Sequence, residues 1–277
     1  VNLDVNDNLV STNHFGLEEP YDEYSTSYTV TQEGALLVAG MRFNQNSYLA
    51  QEMLIKINGD GSEAWVKTVQ MDNEFQVMDI EVDDDEIYVL YDINVDETPQ
   101  LLLKKLDSSG ESLWQRQYDQ FNYLYGVSLI THDNYVTIIS AFEHTDGNGF
   151  ALFHISSTGE LNGYEGNYDF DNYGGNIPTA LASDGNYILC NVVPIQDSMI
   201  NTFNMNKIDS LGNILWQISI SRWQPIIPID ILPTTDGGFL LGSKARINVN
   251  SSYLNPCIVK FQSEGPLGLI ANPGDGK

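Results

Sequence analysis

The sequence predicts an all-β chain folded as a five-bladed β-propeller of four-stranded antiparallel blades, closed by an N-terminal strand. Three observations carry that prediction. A short pattern recurs five times along the 277 residues. A second, apolar pattern opens roughly twenty residues before each copy. No segment sustains a helical period, whereas short alternating or fully apolar runs are separated by turn residues throughout.

The first pattern reads LIKINGDGSEAW (54–65), LKKLDSSGESLW (103–114), LFHISSTGELNG (152–163), MNKIDSLGNILW (205–216) and IVKFQSEGPLGL (258–269). Its turn glycines, Gly61, Gly110, Gly159, Gly212 and Gly265, lie 49, 49, 53 and 53 residues apart. In Asp107-Ser108-Ser109-Gly110 the aspartate offers a side-chain acceptor at the turn start, and the glycine accepts positive φ at its end. A type I turn with a following glycine bulge is expected, joining strands C and D of one unit.

The second pattern supplies strand B: EGALLVAG (33–40), DEIYVLYD (85–92), DNYVTIIS (133–140), GNYILCNV (185–192) and GGFLLGSK (237–244). Looser extended segments before it, such as FQVMDIEV (75–82), LYGVSLIT (124–131) and IIPIDILP (226–233), supply strand A. Tandem four-stranded units of this length are the signature of a propeller. The last repeat lacks a good strand D, because residues 265–277 are rich in Gly and Pro. Leu9 to Phe15 reads as the missing strand, which leaves no exposed edge between the first and last repeats. Residues 1–270 are therefore expected to form one propeller, with 1–15 as closing strand and 271–277 as a tail.

Charge narrows the partners. Thirty-eight acidic residues against twelve basic ones give a formal charge of −26, which repels phosphate backbones and anionic headgroups. Nucleic acid is excluded as a partner on this ground. No stretch approaches the ~18 to 20 apolar residues of a membrane helix, so direct insertion is not expected, and the polar start VNLDVNDNLV does not read as a signal peptide. Cys190 and Cys257 have no metal-type spacing and read as buried thiols.

The repeats resemble those of secreted bacterial proteins, common in Bacteroidota, of the form D-G-G-apolar strand followed by K-[LI]-D-x-x-G-x-x-[LI]-W. Asp236-Gly237-Gly238-Phe239 and the run from Lys207 to Trp216 match best. The third repeat departs, with His154 for the lysine and Gly163 for the tryptophan, and the fifth lacks the tryptophan. The resemblance implies an extracellular or outer-surface location and no assigned catalysis. The Asp-Gly and Trp elements are also similar to repeats of pyrroloquinoline-quinone dehydrogenases, whose eight blades 277 residues do not supply.

In an up-and-down blade the A–B and C–D turns share one end, and the B–C and D–A connections share the other. The second set is longer and rich in aromatic, amide and carboxylate residues, as a glycan-binding or protein-docking face requires. Three of the four arginines, Arg42, Arg222 and Arg246, fall there, and such guanidinium groups bind carboxylate or sulfate bidentately unless local acids claim them. Trp223, beside Arg222, lies outside the repeat's Trp position and is the leading binding residue, with Tyr173, Asp171 and Glu143 as companions. Trp65, Trp114 and Trp216 recur in register and read as packing residues, as do Lys56, Lys105, Lys207 and Lys260, whose stems suit apolar neighbours.

Compact catalytic signatures are missing, and His132, His144 and His154 lack zinc-protease spacing, so neither a metal centre nor an organic cofactor is expected. Asn58-Gly59-Asp60-Gly61-Ser62-Glu63 crowds oxygen side chains into one loop, a calcium candidate without the twelve-residue EF-hand pattern. The reading reached is a non-catalytic binding propeller for a glycan or a protein partner. Its rivals are a structural subunit of a surface or secretion assembly and a glycoside hydrolase or lyase. The hydrolase would draw its two carboxylates from residues such as Asp72, Asp119, Glu143 and Asp171.

Overall fold

The computed structural model describes residues 2–3, 9–11, 21–47, 49–71, 73–120, 123–144, 147–167, 177–194, 201–222, 226–245 and 255–262. Two short N-terminal strands, β1 (Asn2–Leu3) and β2 (Leu9–Ser11), pair with each other. Five sheets follow, one per repeat, and they make the chain a five-bladed β-propeller with antiparallel blades, four of them four-stranded among the described residues. The first holds β3 (Tyr21–Val30), β4 (Leu36–Asn44), β5 (Ala50–Ile57) and β6 (Glu63–Gln70). The second holds β7 (Glu74–Asp83), β8 (Glu86–Val95), β9 (Thr98–Leu106) and β10 (Ser112–Tyr118).

The third sheet is β11 (Tyr123–His132), β12 (Tyr135–His144), β13 (Gly147–Ser156) and β14 (Leu161–Asn167). The fourth is β15 (Thr179–Leu181), β16 (Tyr187–Pro194), β17 (Asn201–Ile208) and β18 (Ile214–Arg222). The fifth holds β19 (Ile226–Pro233), β20 (Phe239–Ala245) and β21 (Asn255–Phe261), three strands among the described residues. The closing strand expected over Leu9 to Phe15 is described only as β2, opposite β1, and its remaining residues lie outside the described ones.

The repeat signature has a local and a neighbouring cause. Locally, Gly110 N–H donates to Asp107 O at 2.9 Å and sits at φ +80°, so the C–D turn is the expected type I turn with a glycine bulge. The Asp107 carboxylate accepts from the Ser109 and Glu111 N–H groups at 2.9 and 3.0 Å. Between sheets, the Trp65 indole donates to Ser108 O at 3.3 Å, and the Trp114 indole donates to Ser157 O at 3.1 Å. Each tryptophan thus lies under the turn of the next repeat. A Cβ on Gly110 would come within 3.2 Å of the Trp65 ring, and one on Gly159 within 3.1 Å of Trp114. Glycine is therefore required twice over, by φ and by the neighbouring ring.

The chain divides into two compact units, residues 1–138 with 154–162 and residues 139–153 with 163–277. In the first, Leu37, Ala39 and Leu54 of the first sheet pack on Val77, Ile80, Val89 and Tyr91 of the second. In the second, Ile188, Cys190, Phe203 and Met205 pack with Ile231, Phe239, Leu241 and Phe261. Burial pushes the Cys190 thiol up, which keeps it protonated among these apolar neighbours. Cys257 is half-buried.

Strand A carries polar bridges between sheets. β7 bulges between Val77 and Asp79, and β3 and β19 bulge at the matching places, Ser25/Ser27 and Pro228/Asp230. Half-buried Asp79 accepts from the Ser27 hydroxyl of β3 at 2.7 Å, and from the Ser128 hydroxyl and Leu129 N–H of β11 at 3.0 and 2.7 Å. One carboxylate therefore ties three A strands together. Two residues on, and so on the same strand face, Glu81 accepts from Thr29 of β3 at 3.1 Å.

Candidate functional site

Of the residues singled out by sequence, Arg42 is fully described. It is 8% exposed, its Nε donates to Gln51 Oε1 at 2.7 Å, and its guanidinium lies 4.1 Å from the Tyr21 ring centroid. That cation–π seat fixes the group within the first blade. Arg222 ends β18 opposite Asn201, and Glu143 lies in β12, with both side chains outside the described residues. Trp223, Arg246, Tyr173, Asp171 and Asp72 also lie outside them, while Asp119 is exposed at the end of the second blade.

Three of the four repeated lysines are held by acids at the turn end. Lys105, Lys207 and Lys260 reach Glu86, Asp184 and Asp236 at 2.5, 2.6 and 2.5 Å. In the third repeat, where histidine replaces lysine, the Thr137 hydroxyl lies 3.2 Å from both His154 Nδ1 and His132 Nε2. Burial and the neighbouring His154 lower the His132 pKa. In the Asn58–Glu63 loop, Asp60 Oδ1 accepts from Ser62 N–H and Oγ–H at 2.9 and 2.6 Å, so this aspartate is engaged in the turn itself.

A groove of about 360 Å³ opens at the other end of the strands, between the first and second blades. Its floor and walls come from Val69 and Met71 of one blade, and from Ile93, Leu102, Lys104, Gln115 and Gln117 of the other. Gln115 pairs with Lys104 and Gln117 with Leu102 across β10 and β9, so these four side chains share one sheet face. Gln70, Asn73 and Arg116 complete the lining. The Arg116 guanidinium donates to its neighbour's backbone, Gln115 O, at 3.0 Å. Among the described residues of this lining there is no carboxylate, although the chain carries 38 acidic residues.

Beneath the groove sits a buried charged triad. Lys104 Nζ lies 2.5 Å from Glu52 Oε2, the Tyr91 hydroxyl donates to Glu52 Oε1, and Lys104 Nζ is 3.3 Å from Met71 Sδ. The three are 5%, 2% and 0% exposed. Burial, together with the adjacent Glu52 charge, holds the Tyr91 hydroxyl well above its ordinary pKa, so it remains a donor. The lysine charge is thereby matched internally, which leaves an aliphatic and amide-lined recess whose remaining described charge is the Arg116 guanidinium.

The sequence patterns above single out neither Glu52 nor Lys104. A signal was present. Lys104 stands where the other copies carry Ile55, Phe153, Asn206 and Val259, a charge at a position otherwise held by three apolar residues and an amide. Its partner lies 52 residues away, one repeat earlier, and nothing local announces it.

These blades define the class, an all-β propeller, here with a recess between its first two blades. No family model matches the chain, and no curated protein does. Among solved structures it is similar to the β-propeller domain of the Trilobed protease from Pyrococcus furiosus, described as having an open velcro topology. That likeness is at 8% identity over 87% of this chain and 69% of that one, with a TM-score of 0.49. It is also similar to the tail fiber of Staphylococcus aureus phage P68, at 9% identity over 86% of this chain and 81% of that one, with a TM-score of 0.25.

Proposed function

We propose that the chain is a non-catalytic, exported binding propeller, placed extracellularly or at the outer cell surface, that receives a protein partner in the groove between its first two blades. The observation that carries the reading is the groove itself. A 48% exposed Val69, together with Met71, Ile93 and Leu102, offers an aliphatic floor, and Gln115 and Gln117 offer amides along its wall. Aliphatic surface bordered by groups that both donate and accept suits an extended polypeptide, whose side chains fill the floor while its backbone meets the amides.

A carbohydrate ligand is the second reading, favoured by Tyr123 and Tyr125 at the start of β11, which are 45% and 39% exposed. Exposed rings of this kind cover the C–H faces of sugars. Pull-downs from the source organism and titration against a glycan panel separate the two. The first reading predicts capture of a protein that is lost with Gln115→Ala/Gln117→Ala, a pair of surface changes expected to cost under about 0.5 kcal/mol of stability. Capture unaffected by that pair sinks the groove reading, and empty results in both experiments sink both readings.

A further inference from the structure

Resting on the groove reading just given, we infer that the partner segment is aliphatic at its centre and basic at its flanks. The described lining holds no carboxylate, yet exposed acids stand beside it in the chain on every side. Glu74 follows the lining residue Asn73, Asp119 lies two residues beyond Gln117, and Asp96 and Glu97 cap the hairpin that carries Ile93 and Leu102. From Ile93 to Asp96 the chain advances by about 10 Å, at ~3.3 Å per strand residue. An apolar floor with a negative rim fits an occupant of the inverse pattern, and the −26 charge of the whole chain steers cationic segments towards it.

The hairpin tip adds an independent reason. Val95 pairs with Thr98, so Asp96 and Glu97 form a two-residue turn, with φ of 50° and 65°. Both lie in the left-handed region, where a type I′ turn strongly prefers Asn-Gly or Asp-Gly. Glutamate at the second position costs backbone energy that glycine would not. What the tip gains is a second carboxylate at the rim. Strain held at an exposed tip in exchange for charge is the pattern of a recognition loop rather than of a stabilising one.

The test uses the full chain and a fluorescein-labelled decapeptide with leucine and isoleucine at alternate central positions and two lysines at each end. A twin peptide carries glutamates in their place. At low salt the lysine-ended peptide should bind at least about tenfold more tightly, and the gap should shrink in 0.5 M NaCl as exposed charges are screened. Asp96→Asn with Glu97→Gly should weaken the lysine-ended peptide by about threefold or more while raising the melting temperature. A variant that is stabilised but binds unchanged overturns the role of the tip. Equal binding of the two peptides overturns the charge inference and leaves the groove reading standing. No binding of either peptide, or binding indifferent to Gln117→Trp, which fills the groove, removes both.

Discussion

At the scale of single residues, the buried Glu52–Lys104–Tyr91 triad is where energetic cost and position are most tightly bound together. Taking a carboxylate and an ammonium out of water costs several kcal/mol per ion, and the 2.5 Å contact with the added Tyr91 hydrogen bond offsets that cost only while all the partners are present. Lys104→Met should therefore destabilise the protein by about 3–5 kcal/mol, because Glu52 is left charged at 2% exposure. Lys104→Met with Glu52→Gln should recover most of the loss, since the amide oxygen still accepts from Tyr91 and no buried charge remains. Urea unfolding of the two single variants and the double variant decides the matter. If the double variant is as damaged as Lys104→Met alone, the triad is held by packing and not by charge pairing.

At the scale of elements, the A strands of the first three blades behave as one polar splice. Asp79 satisfies the Ser27 hydroxyl, the Ser128 hydroxyl and the Leu129 N–H, and it also accepts from Ile80 N–H at 2.9 Å. Asp79→Ala removes one acceptor and orphans donors on two neighbouring strands, at an expected cost of about 2–4 kcal/mol. Hydrogen exchange should then quicken together in β3, β7 and β11 while the amides of β16 and β17 keep their protection. Faster exchange confined to β7 would mean that the splice carries no energy. The same strands show what a sequence reveals and what it withholds. The C–D turns are legible because Asp107, Gly110 and Trp114 lie within eight consecutive residues, and each local preference agrees with the fold. Asp79 and Glu81 are not legible as bridges, because in FQVMDIEV they alternate with apolar residues as solvent-facing acids would. Only the adjoining blades, some 50 residues away in either direction, turn that face inward. The groove is hidden for the same reason: its walls come from consecutive repeats, and a pattern within one repeat describes only half of it.

At the scale of the whole molecule, two kinds of negative charge respond differently to pH and salt. Burial, with Asp79 adding to it, raises Glu81 from 4.5 to about 7, and burial raises Asp92 from 3.8 to about 7. Burial also raises Asp79. A carboxylate whose folded-state pKa lies above its unfolded value holds its proton more tightly in the native state. Its contribution is complete below the ordinary carboxylate range and is lost as pH rises through about 7. Between pH 5.5 and pH 8 the protein should accordingly become less stable, by on the order of 1–2 kcal/mol per group after allowance for partial exposure. Surface acids held low by hydrogen bonds or lysines, such as Asp107 and Asp184, lose their contribution only below this window. Self-repulsion among the excess of 26 negative charges works in the same direction, but it is long-ranged, and 0.5 M salt reduces its reach to about 4 Å. Desolvation of Glu81 and Asp92 is indifferent to salt. Thermal melts at pH 5.5 and pH 8, in low salt and in 0.5 M NaCl, should therefore show a pH difference that narrows with salt but persists, and Glu81→Gln should remove part of the remainder. A difference that vanishes entirely in salt would assign the whole effect to the surface, and the buried acids would then titrate as if they stood in water.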